Sequence, residues 1–427
     1  MRLVVFLTQK AQTPQETQTK KYHLRLLRHS RRLRYFALNR RNMNDKLLET
    51  VDLRANFYTY EGVVKALNGV SLVINHGSTF GLVGESGCGK SVTARAIMRI
   101  VQEPGRIESG KILVFLNGAQ EAQGVDLMQQ SEAYMERLRG NHISMIFQEP
   151  NSALNPILTI EDQISESFLI HQQPDMCRDI AADLRREMER KPSPLKRLHM
   201  QLFERQAEHP DDPRLRLLNA LPILKQWKRR LKRKAAEKAI EVLGKLGIAN
   251  PEQVITRYPH EISGGMKQRV VIAIGLACCP TLLIADEPTS NLDVTIQAQI
   301  LELIKELKKK YISSVLLITH DLGVVAETCD RVGVMYAGNV CEVADVGDLF
   351  RDPKHPYSAA LLNAVPKLSH TGELASIEGS VPNLVNPPSG CRFHPRCPQV
   401  MPVCKTKVPD TVEITPDHFV ACYLYVR

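Results

Sequence analysis

The chain has 427 residues, of which 43% are hydrophobic and 24% charged, a composition that supports buried cores and excludes disorder throughout. The length suits two or three domains of ordinary size. The net charge of +10 resides in residues 1–42, which hold 11 Lys and Arg against one acid, so the rest of the chain is balanced and no nucleic-acid partner is expected. The longest uncharged run, Val270–Ala285, has 16 residues, fewer than the ~20 that a membrane-spanning helix needs.

The basic N-terminal segment, residues 1–45, is predicted to lie outside the globular body. Its sequence KKYHLRLLRHSRRLRYFALNRRN is also compatible with an RNA-binding arm, a transit peptide or a membrane-surface helix. Globular patterning begins just after Met43, however. We therefore interpret the segment as a disordered extension or as a start assigned too far upstream.

Residues 46–172 are predicted to form an antiparallel β layer and the first half of a nucleotide-binding core. Within them, an apolar run leads into GESGCGKS, which matches the phosphate-loop pattern G-x-x-x-x-G-K-[ST] and is followed by a helix-like pattern. Glycines let such a loop turn its N–H groups toward phosphates, while the lysine reaches the outer phosphates and the last hydroxyl binds Mg²⁺. The predicted phosphate-binding residues are Gly84, Glu85, Ser86, Gly87, Cys88, Gly89, Lys90 and Ser91.

Residues 173–240 interrupt this pattern with a charged segment of helical periodicity. Proline-containing breaks at KPSP and HPDDP divide it, which predicts two or three amphipathic helices. Its basic stretch, Lys225–Lys234, is interpreted as a solvated helix face, with contact to anionic lipid as the alternative.

Two later strands are predicted to carry acidic and histidine side chains to the nucleotide. The apolar run LLIAD is typical of a buried parallel strand and presents Asp286 at its carboxyl end, where α/β sheets bind ligands. Asp286 is predicted to hold Mg²⁺ and Glu287 to act as general base toward water. The run SVLLITH ends at His320, a candidate γ-phosphate contact. With the phosphate loop, these residues predict an ATPase. Downstream, RVGVMYAGNVCEVA predicts a hairpin that turns at Gly338-Asn339.

A second candidate anion site occurs at Ser263, Gly264 and Gly265, where a hydroxyl and backbone N–H groups precede a helix-like pattern. The surrounding segment ISGGMKQR resembles the LSGGQ signature of ABC ATPases, although Ile262 replaces the leucine and Met266-Lys267 precede the glutamine. In that family, the signature of one subunit caps the ATP held in the phosphate loop of another. The resemblance therefore implies that these three residues contact nucleotide across a dimer.

The resemblance implies further site residues, which follow in the family's order. Gln148 in ISMIFQEP is similar to the glutamine that contacts Mg²⁺ and the reaction centre, and His320 to the switch histidine. SNLD, Ser290–Asp293, resembles the D-loop and makes Asp293 a nucleotide contact, with Asn291 where a small residue is usual. Either Tyr60 or Phe57 would stack on adenine.

Finer matches resemble the ATP-binding subunits of dipeptide and oligopeptide ABC importers, namely RLRGNHISMIFQEPNSALNP, LDVTIQAQIL and HPYSAALLNAVPKL. This resemblance implies an α/β fold with a RecA-like core, an antiparallel β subdomain, a helical subdomain and a small Cys-rich C-terminal appendage. The ATPase domain would span 46–350, with the helical subdomain and its insertion at about 149–262, and the appendage 351–427.

The same resemblance implies ATP and Mg²⁺ as cofactors and a membrane-peripheral position on the cytoplasmic face of the plasma membrane. The implied partners are a second ATPase subunit, paralogous to this one, two permease subunits and an extracytoplasmic solute-binding protein. Transport of nickel or another small solute by the same machinery is the alternative. A soluble ABC ATPase of translation or DNA repair is a more distant alternative, because those proteins carry two ATPase halves or long coiled coils.

Four cysteines are confined to the last 37 residues, with the spacing C-x5-C-x6-C-x17-C. A disulfide pair is disfavoured in a reducing compartment, and four thiolates suit either zinc or an iron–sulfur cluster. Cys391, Cys397, Cys404 and Cys422 resemble the cysteines of dipeptide-type importer ATPases, which implies a [4Fe–4S] cluster, with zinc and an unmetallated tail as alternatives. Because these residues are far in sequence from every phosphate-binding segment, the cluster is expected to be independent of the ATP site.

Overall fold

The computed structural model describes residues 45–116, 124–209, 225–290, 293–310, 314–364 and 377–426. The N-terminal segment up to residue 44, residues 210–213 of the HPDDP break, and Asn291 therefore lie outside the described residues. Leu47–Arg427 form one structural unit.

A four-stranded sheet begins the unit, as predicted for the first part of the chain. β1 pairs antiparallel with β4, with Leu48 opposite Val114, and β4 pairs antiparallel with β5. Leu53 and Ala55 of β1 are fully buried, whereas Asp52, Arg54 and Asn56 beside them are half-buried, which is the alternation expected of a sheet with one face on a core. In sheet order, the strands are β2 (Gly62–Asn75), β1 (Lys46–Thr59), β4 (Gly105–Val114) and β5 (Val125–Asp126).

An eight-stranded sheet carries the nucleotide-binding core. Its first five strands are parallel, and its last three continue it in antiparallel pairing. Every residue of β3, β7 and β8 is buried, as expected for parallel strands covered on both faces. In sheet order, the strands are β6 (Ile143–Ile146), β7 (Leu282–Asp286), β8 (Ser314–Ile318), β3 (Thr79–Val83), β9 (Arg331–Tyr336), β10 (Asn339–Asp345), β12 (His418–Val420) and β11 (Val412–Thr415).

Helices before residue 280 form two groups. The first, α1 (Lys90–Ile97) and α2 (Glu132–Leu138), shares a core with both sheets. The second forms a helical layer whose apolar side chains join those of β7 and β8 in one core, and three of its helices lie in the segment predicted to hold amphipathic helices. The second group comprises α3 (Pro150–Ala153), α4 (Ile160–His171), α5 (Gln173–Arg190), α6 (Pro194–Glu208), α7 (Lys225–Lys245), α8 (Pro251–Val254) and α9 (Gly264–Leu276).

The remaining helices are α10 (Val294–Lys310), α11 (Leu322–Thr328), α12 (Val346–Arg351) and α13 (Pro356–Asn363). None of the helices in the described ranges combines the length and apolar character that a bilayer crossing requires.

The hairpin of β9 and β10 turns one residue earlier than predicted. Asn339 pairs with Tyr336, so the turn residues are Ala337 and Gly338, with φ of 46° and 83°. A two-residue turn with two positive φ angles matches the twist of the flanking strands. Three hydrogen bonds hold the turn: Gly338 N donates to Cys88 O at 2.8 Å, Asn68 N donates to Gly338 O at 2.8 Å, and Arg392 donates to Ala337 O.

A buried carboxylate fastens the C-terminal part of the chain to this hairpin. Glu342 of β10 is 1% exposed and accepts hydrogen bonds from the backbone N–H groups of Lys354 and His355, both at 2.8 Å. His418 of β12 lies with Nε2 2.7 Å from the same carboxylate. Burial lowers the pKa of His355 to about 4, so this residue is neutral at ordinary pH. One buried acid thus joins two separate parts of the C-terminal segment to β10.

Candidate functional site

The phosphate loop connects β3 to α1 and depends on glycine at defined positions. Gly84 and Gly89 have φ of 150° and 105° and are buried, and a Cβ at Gly84 would lie 2.1 Å from the backbone oxygen of Met335. Ser86 and Gly87 lie at the exposed crest of the loop. The exposed crest at the start of a helix is the arrangement expected of an anion-binding loop.

Lys90 is positioned at the base of the loop. The residue is 5% exposed, and its Nζ donates to the backbone oxygens of Gly84 at 2.8 Å and Glu85 at 3.0 Å. Its charge also opposes the burial that raises the pKa of the neighbouring Cys88 thiol. A buried ammonium bonded to the loop itself is suited to meeting the outer phosphates of a nucleotide.

Ser91 and Asp286, both predicted to hold Mg²⁺, are in contact. Ser91, in the first turn of α1, donates from Oγ to Oδ1 of Asp286, the last residue of β7, at 2.9 Å. Asp286 is 2% exposed, and burial raises its pKa, while the bond from Ser91 acts in the opposite direction. A hydroxyl and a carboxylate at this spacing are oxygen ligands of the kind that Mg²⁺ prefers, so the pair fits the predicted ion.

The three predicted catalytic residues meet at Glu287. Gln148 Nε2 donates to Glu287 Oε2 at 2.8 Å, and His320 Nδ1 lies 3.3 Å from Glu287 Oε1. They follow β6, β7 and β8, three adjacent parallel strands whose carboxyl ends lie at one edge of the sheet. Glu287 has a φ of 45°, and its N–H donates to Ile318 O at 2.9 Å, which fixes the backbone in this turn. The arrangement places a carboxylate where it can orient and deprotonate water.

The signature residues begin α9. Ser263 caps the helix by accepting a hydrogen bond from Met266 N at 3.4 Å, and both Ser263 and Gly264 are exposed. Gln268, which is 1% exposed, donates to the Pro288 carbonyl just after Glu287. The signature helix is therefore tied to the turn after β7 of its own chain, while its first residues face outward.

The remaining predicted contacts, Asp293 and the two aromatic candidates, differ in exposure. Asp293 is exposed and accepts from Ile296 N at 3.0 Å at the start of α10. Tyr60, in the turn after β1, is fully exposed, whereas Phe57 is half-buried against Gly105. Exposure favours Tyr60 for stacking on a ligand ring, but neither assignment is tested, and both stay predictions.

The four C-terminal cysteines line one pocket, together with His355 and Phe393. Burial raises the pKa of the Cys391 thiol to about 11, and the three other thiols of the cluster act on it in the same direction. Within the described residues, no group of three or more His, Cys, Asp or Glu side chains is arranged so that it could hold a metal ion. A metal cofactor held by the four thiols, those of Cys391, Cys397, Cys404 and Cys422, therefore stays a prediction.

The cysteine segment contacts the phosphate loop although the two are far apart in sequence, whereas the expected independence of the cluster from ATP binding stays a prediction. Arg396, which precedes Cys397, forms a two-pronged ion pair with Glu85 of the phosphate loop, with N–O distances of 2.8 and 3.1 Å. In addition, Glu85 N donates to the hydroxyl of Tyr357 at 3.0 Å. Distance in sequence did not predict distance in space, because the sheet brings both segments to β9. Glu85 is the single acid of GESGCGKS and Arg396 is one of two arginines in GCRFHPRCP, so the sequence showed the charges but not their pairing.

Two family models match the chain. The model described as ABC transporter matches residues 67–290, and that described as oligopeptide/dipeptide transporter, C-terminal region, matches residues 341–404. The first contains the phosphate loop and Glu287, and the second contains three of the four C-terminal cysteines.

Relatives match over nearly the whole described chain. The peptide ABC transporter ATP-binding protein y4tR of Sinorhizobium fredii is 42% identical over 381 residues, which cover 89% of this chain and 95% of the relative. In Bacillus subtilis, the oligopeptide transport ATP-binding protein AppD is 41% identical, over 89% of this chain and 97% of the relative. The dipeptide transport ATP-binding protein DppD of the same organism is 40% identical, over 89% and 95%. With the site geometry, these matches establish that the chain belongs to the ATP-binding proteins of ABC transporters, in the oligopeptide and dipeptide branch.

Proposed function

We propose that this chain hydrolyses ATP to energise the import of di- or oligopeptides. The observation that carries the proposal is the convergence of Gln148 and His320 on Glu287, at the same sheet edge as Lys90 and Ser91. The peptide class is supported by what the relatives are named as transporting.

The proposed mechanism assigns each residue a separate task. The loop N–H groups and Lys90 bind the outer phosphates, and Ser91, Asp286 and Gln148 would hold Mg²⁺, which on binding neutralises charge on the phosphates. Glu287 accepts the proton of the attacking water at Oε1 or Oε2, and the hydrogen bond from Gln148 keeps its carboxylate aimed. His320, which lies beside the same carboxylate, contacts the γ-phosphate.

The outward-facing signature supports a dimer in which each nucleotide lies between the phosphate loop of one subunit and Ser263–Gly265 of the other. A paralogous ATPase is the proposed partner, as the resemblance to dipeptide and oligopeptide importers implies. Two permeases and an extracytoplasmic solute-binding protein complete the proposed assembly. This chain would then sit peripherally on the cytoplasmic face of the plasma membrane.

Reconstitution tests the transported class. We expect proteoliposomes that contain the chain with its genomically neighbouring permeases and ATPase to accumulate labelled di- or pentapeptides when ATP and the binding protein are supplied. A Lys90→Ala assembly, which loses the phosphate contact, serves as the inactive control. Accumulation of Ni²⁺ but not peptides would transfer the assignment to the nickel alternative. A rate of ATP hydrolysis that rises with ribosomes or DNA and does not change when the permeases are added would refute a role in transport.

We further propose that the four cysteine thiolates hold a [4Fe–4S] cluster that fastens the C-terminal segment. The supporting observation is that all four line a single pocket, which also contains Phe393 and Met401. Four thiolates are the ligand set of such clusters, which here would serve as a structural fastener with no step in hydrolysis. Zinc held by the same thiolates is the second candidate.

Anaerobic purification tests the cluster. Wild-type protein is expected to be brown and to hold about four irons per chain. Cys397→Ser is expected to lose colour and iron and to lower the melting temperature. Cys279→Ser, which removes an exposed thiol outside the pocket, serves as the matched control and should keep the iron. One equivalent of zinc in colourless wild-type protein would assign the pocket to zinc, and protein free of both metals would refute the site.

A further inference from the structure

An ion pair joins the phosphate loop to the C-terminal segment. Arg396 and Glu85 are separated by 311 residues in the chain, yet the guanidinium donates through both Nη atoms to the two carboxylate oxygens. The side chains are 6% and 25% exposed, respectively, so the pair is shielded from solvent on the arginine side. Bidentate pairs of this type combine charge with fixed geometry, and they lose much of both when lysine replaces arginine.

Arg396 is itself held rigidly. Its Nε donates to Glu378 O at 2.9 Å, Nη2 donates to Ile377 O at 3.1 Å, and Nη1 lies 3.3 Å from the hydroxyl of Tyr336. With the two bonds to Glu85, all five N–H donors of the guanidinium are engaged. The side chain therefore has one orientation, in which both Nη atoms point to the carboxylate of Glu85.

The backbone of Glu85 is held from the same side. Its N–H donates to the hydroxyl of Tyr357, a fully buried residue of α13. The Tyr357 ring packs against those of Tyr336 and Phe393, with centroids 4.6 and 5.3 Å apart. Both the main chain and the side chain of this loop position are thus fixed by residues C-terminal to the catalytic strands.

The charge at position 85 needs this partner. Glu85 lies in the loop that binds a nucleotide carrying several negative charges, and an unpaired carboxylate there would repel the phosphates. Removing one member of a buried pair leaves the other uncompensated, which costs more than the pair contributes when intact.

We propose that Arg396 is a positioning residue for ATP binding. Arg396 neutralises the Glu85 carboxylate and holds it away from the phosphates, so that the loop N–H groups can bind the phosphates. The C-terminal segment then contributes directly to nucleotide affinity. This inference rests on the proposed function only in taking the loop as the ATP site.

The test is a charge cycle in the full-length chain, with Mg-ATP and adenosine affinities measured by calorimetry. Arg396→Ala is expected to raise the Kd for ATP about tenfold and to leave adenosine binding unchanged, because only the phosphates meet the freed carboxylate. Glu85→Gln added to Arg396→Ala is expected to recover the ATP affinity to within about threefold of wild type, since the repelling charge is gone. A merely structural role predicts the opposite, that the double variant binds as poorly as the single one or worse.

A control variant and a fallback variant complete the charge cycle. Arg351→Ala removes an exposed arginine of α12 that bonds within its own helix, and it should leave both affinities unchanged. If Arg396→Ala does not fold, Arg396→Lys, which keeps the charge and loses the fork, is expected to raise the Kd for ATP about threefold, with recovery on adding Glu85→Gln. An unchanged Kd in these variants, or no recovery, overturns the inference. Wild-type protein that fails to bind ATP would instead overturn the proposed function.

Discussion

Glu287→Gln is expected to slow steady-state ATP hydrolysis by about 10²-fold or more while ATP binding survives. The amide keeps the shape of the carboxylate and still accepts the hydrogen bond from Gln148, which lies 2.8 Å away, but it cannot take a proton from water. The phosphate contacts of Lys90 and the loop are untouched by the change. ATP should therefore remain bound and stabilise a closed dimer, which is visible as a shift to the dimer on size exclusion with Mg-ATP.

The matched control for this variant is Glu302→Gln. Glu302 is an exposed acid of α10, 65% exposed and 3.7 Å from Lys305, so its loss should leave hydrolysis within about twofold of wild type. Turnover of Glu287→Gln within twofold of wild type, measured in the assembled transporter or with the partner ATPase, would remove Glu287 as the general base. Loss of ATP binding together with hydrolysis would point to a structural role at the turn.

Gly84→Ala is expected to lower the free energy of unfolding by about 3 kcal/mol or more and to abolish ATP binding. A Cβ at this position would lie 2.1 Å from Met335 O and 2.9 Å from Cys88 Sγ. The backbone oxygen cannot yield, because β9 pairs with β3 at this point, with Val334 opposite Val83. The loop must then move out of its position at the start of α1, and the phosphate site moves with it.

Gly87→Ala separates the steric effect from the backbone effect. Gly87 also has a positive φ, 76°, but a Cβ there meets nothing within 4 Å. Its cost should be limited to the left-handed conformation, about 1–2 kcal/mol. Chemical denaturation of the full chain without nucleotide compares the two. Equal stability of the two variants would contradict the close approach of Met335 to the loop.

Local sequence determined the pieces of the ATP site. The phosphate loop, the strand LLIAD with its acid pair and the strand ending at His320 were predicted because glycine spacing, buried apolar runs and strand ends are properties of a few consecutive residues. Parallel strands also place their carboxyl ends at one edge, which favoured proximity of Glu287 and His320, but the adjacency of β6, β7 and β8 that brings Gln148 to them came from the structure. The hairpin after β9 was predicted one residue late, because the φ pair at Ala337-Gly338 depends on contacts made by Cys88 and Arg392.

Only the tertiary structure decided which residues that are distant in sequence form an ion pair or line the same pocket. The contact of Arg396 with Glu85 closes a loop of 311 residues, and no local periodicity reports which acid an arginine will meet. The same holds for Glu342, which gathers His355 and His418 in the core, and for the difference in exposure between Tyr60 and Phe57. The contacts of Glu342 depend on how β10 and β12 extend the sheet beyond β9. Long-range pairing of this kind is set by the packing of the whole unit, whereas the motifs are set by neighbouring residues.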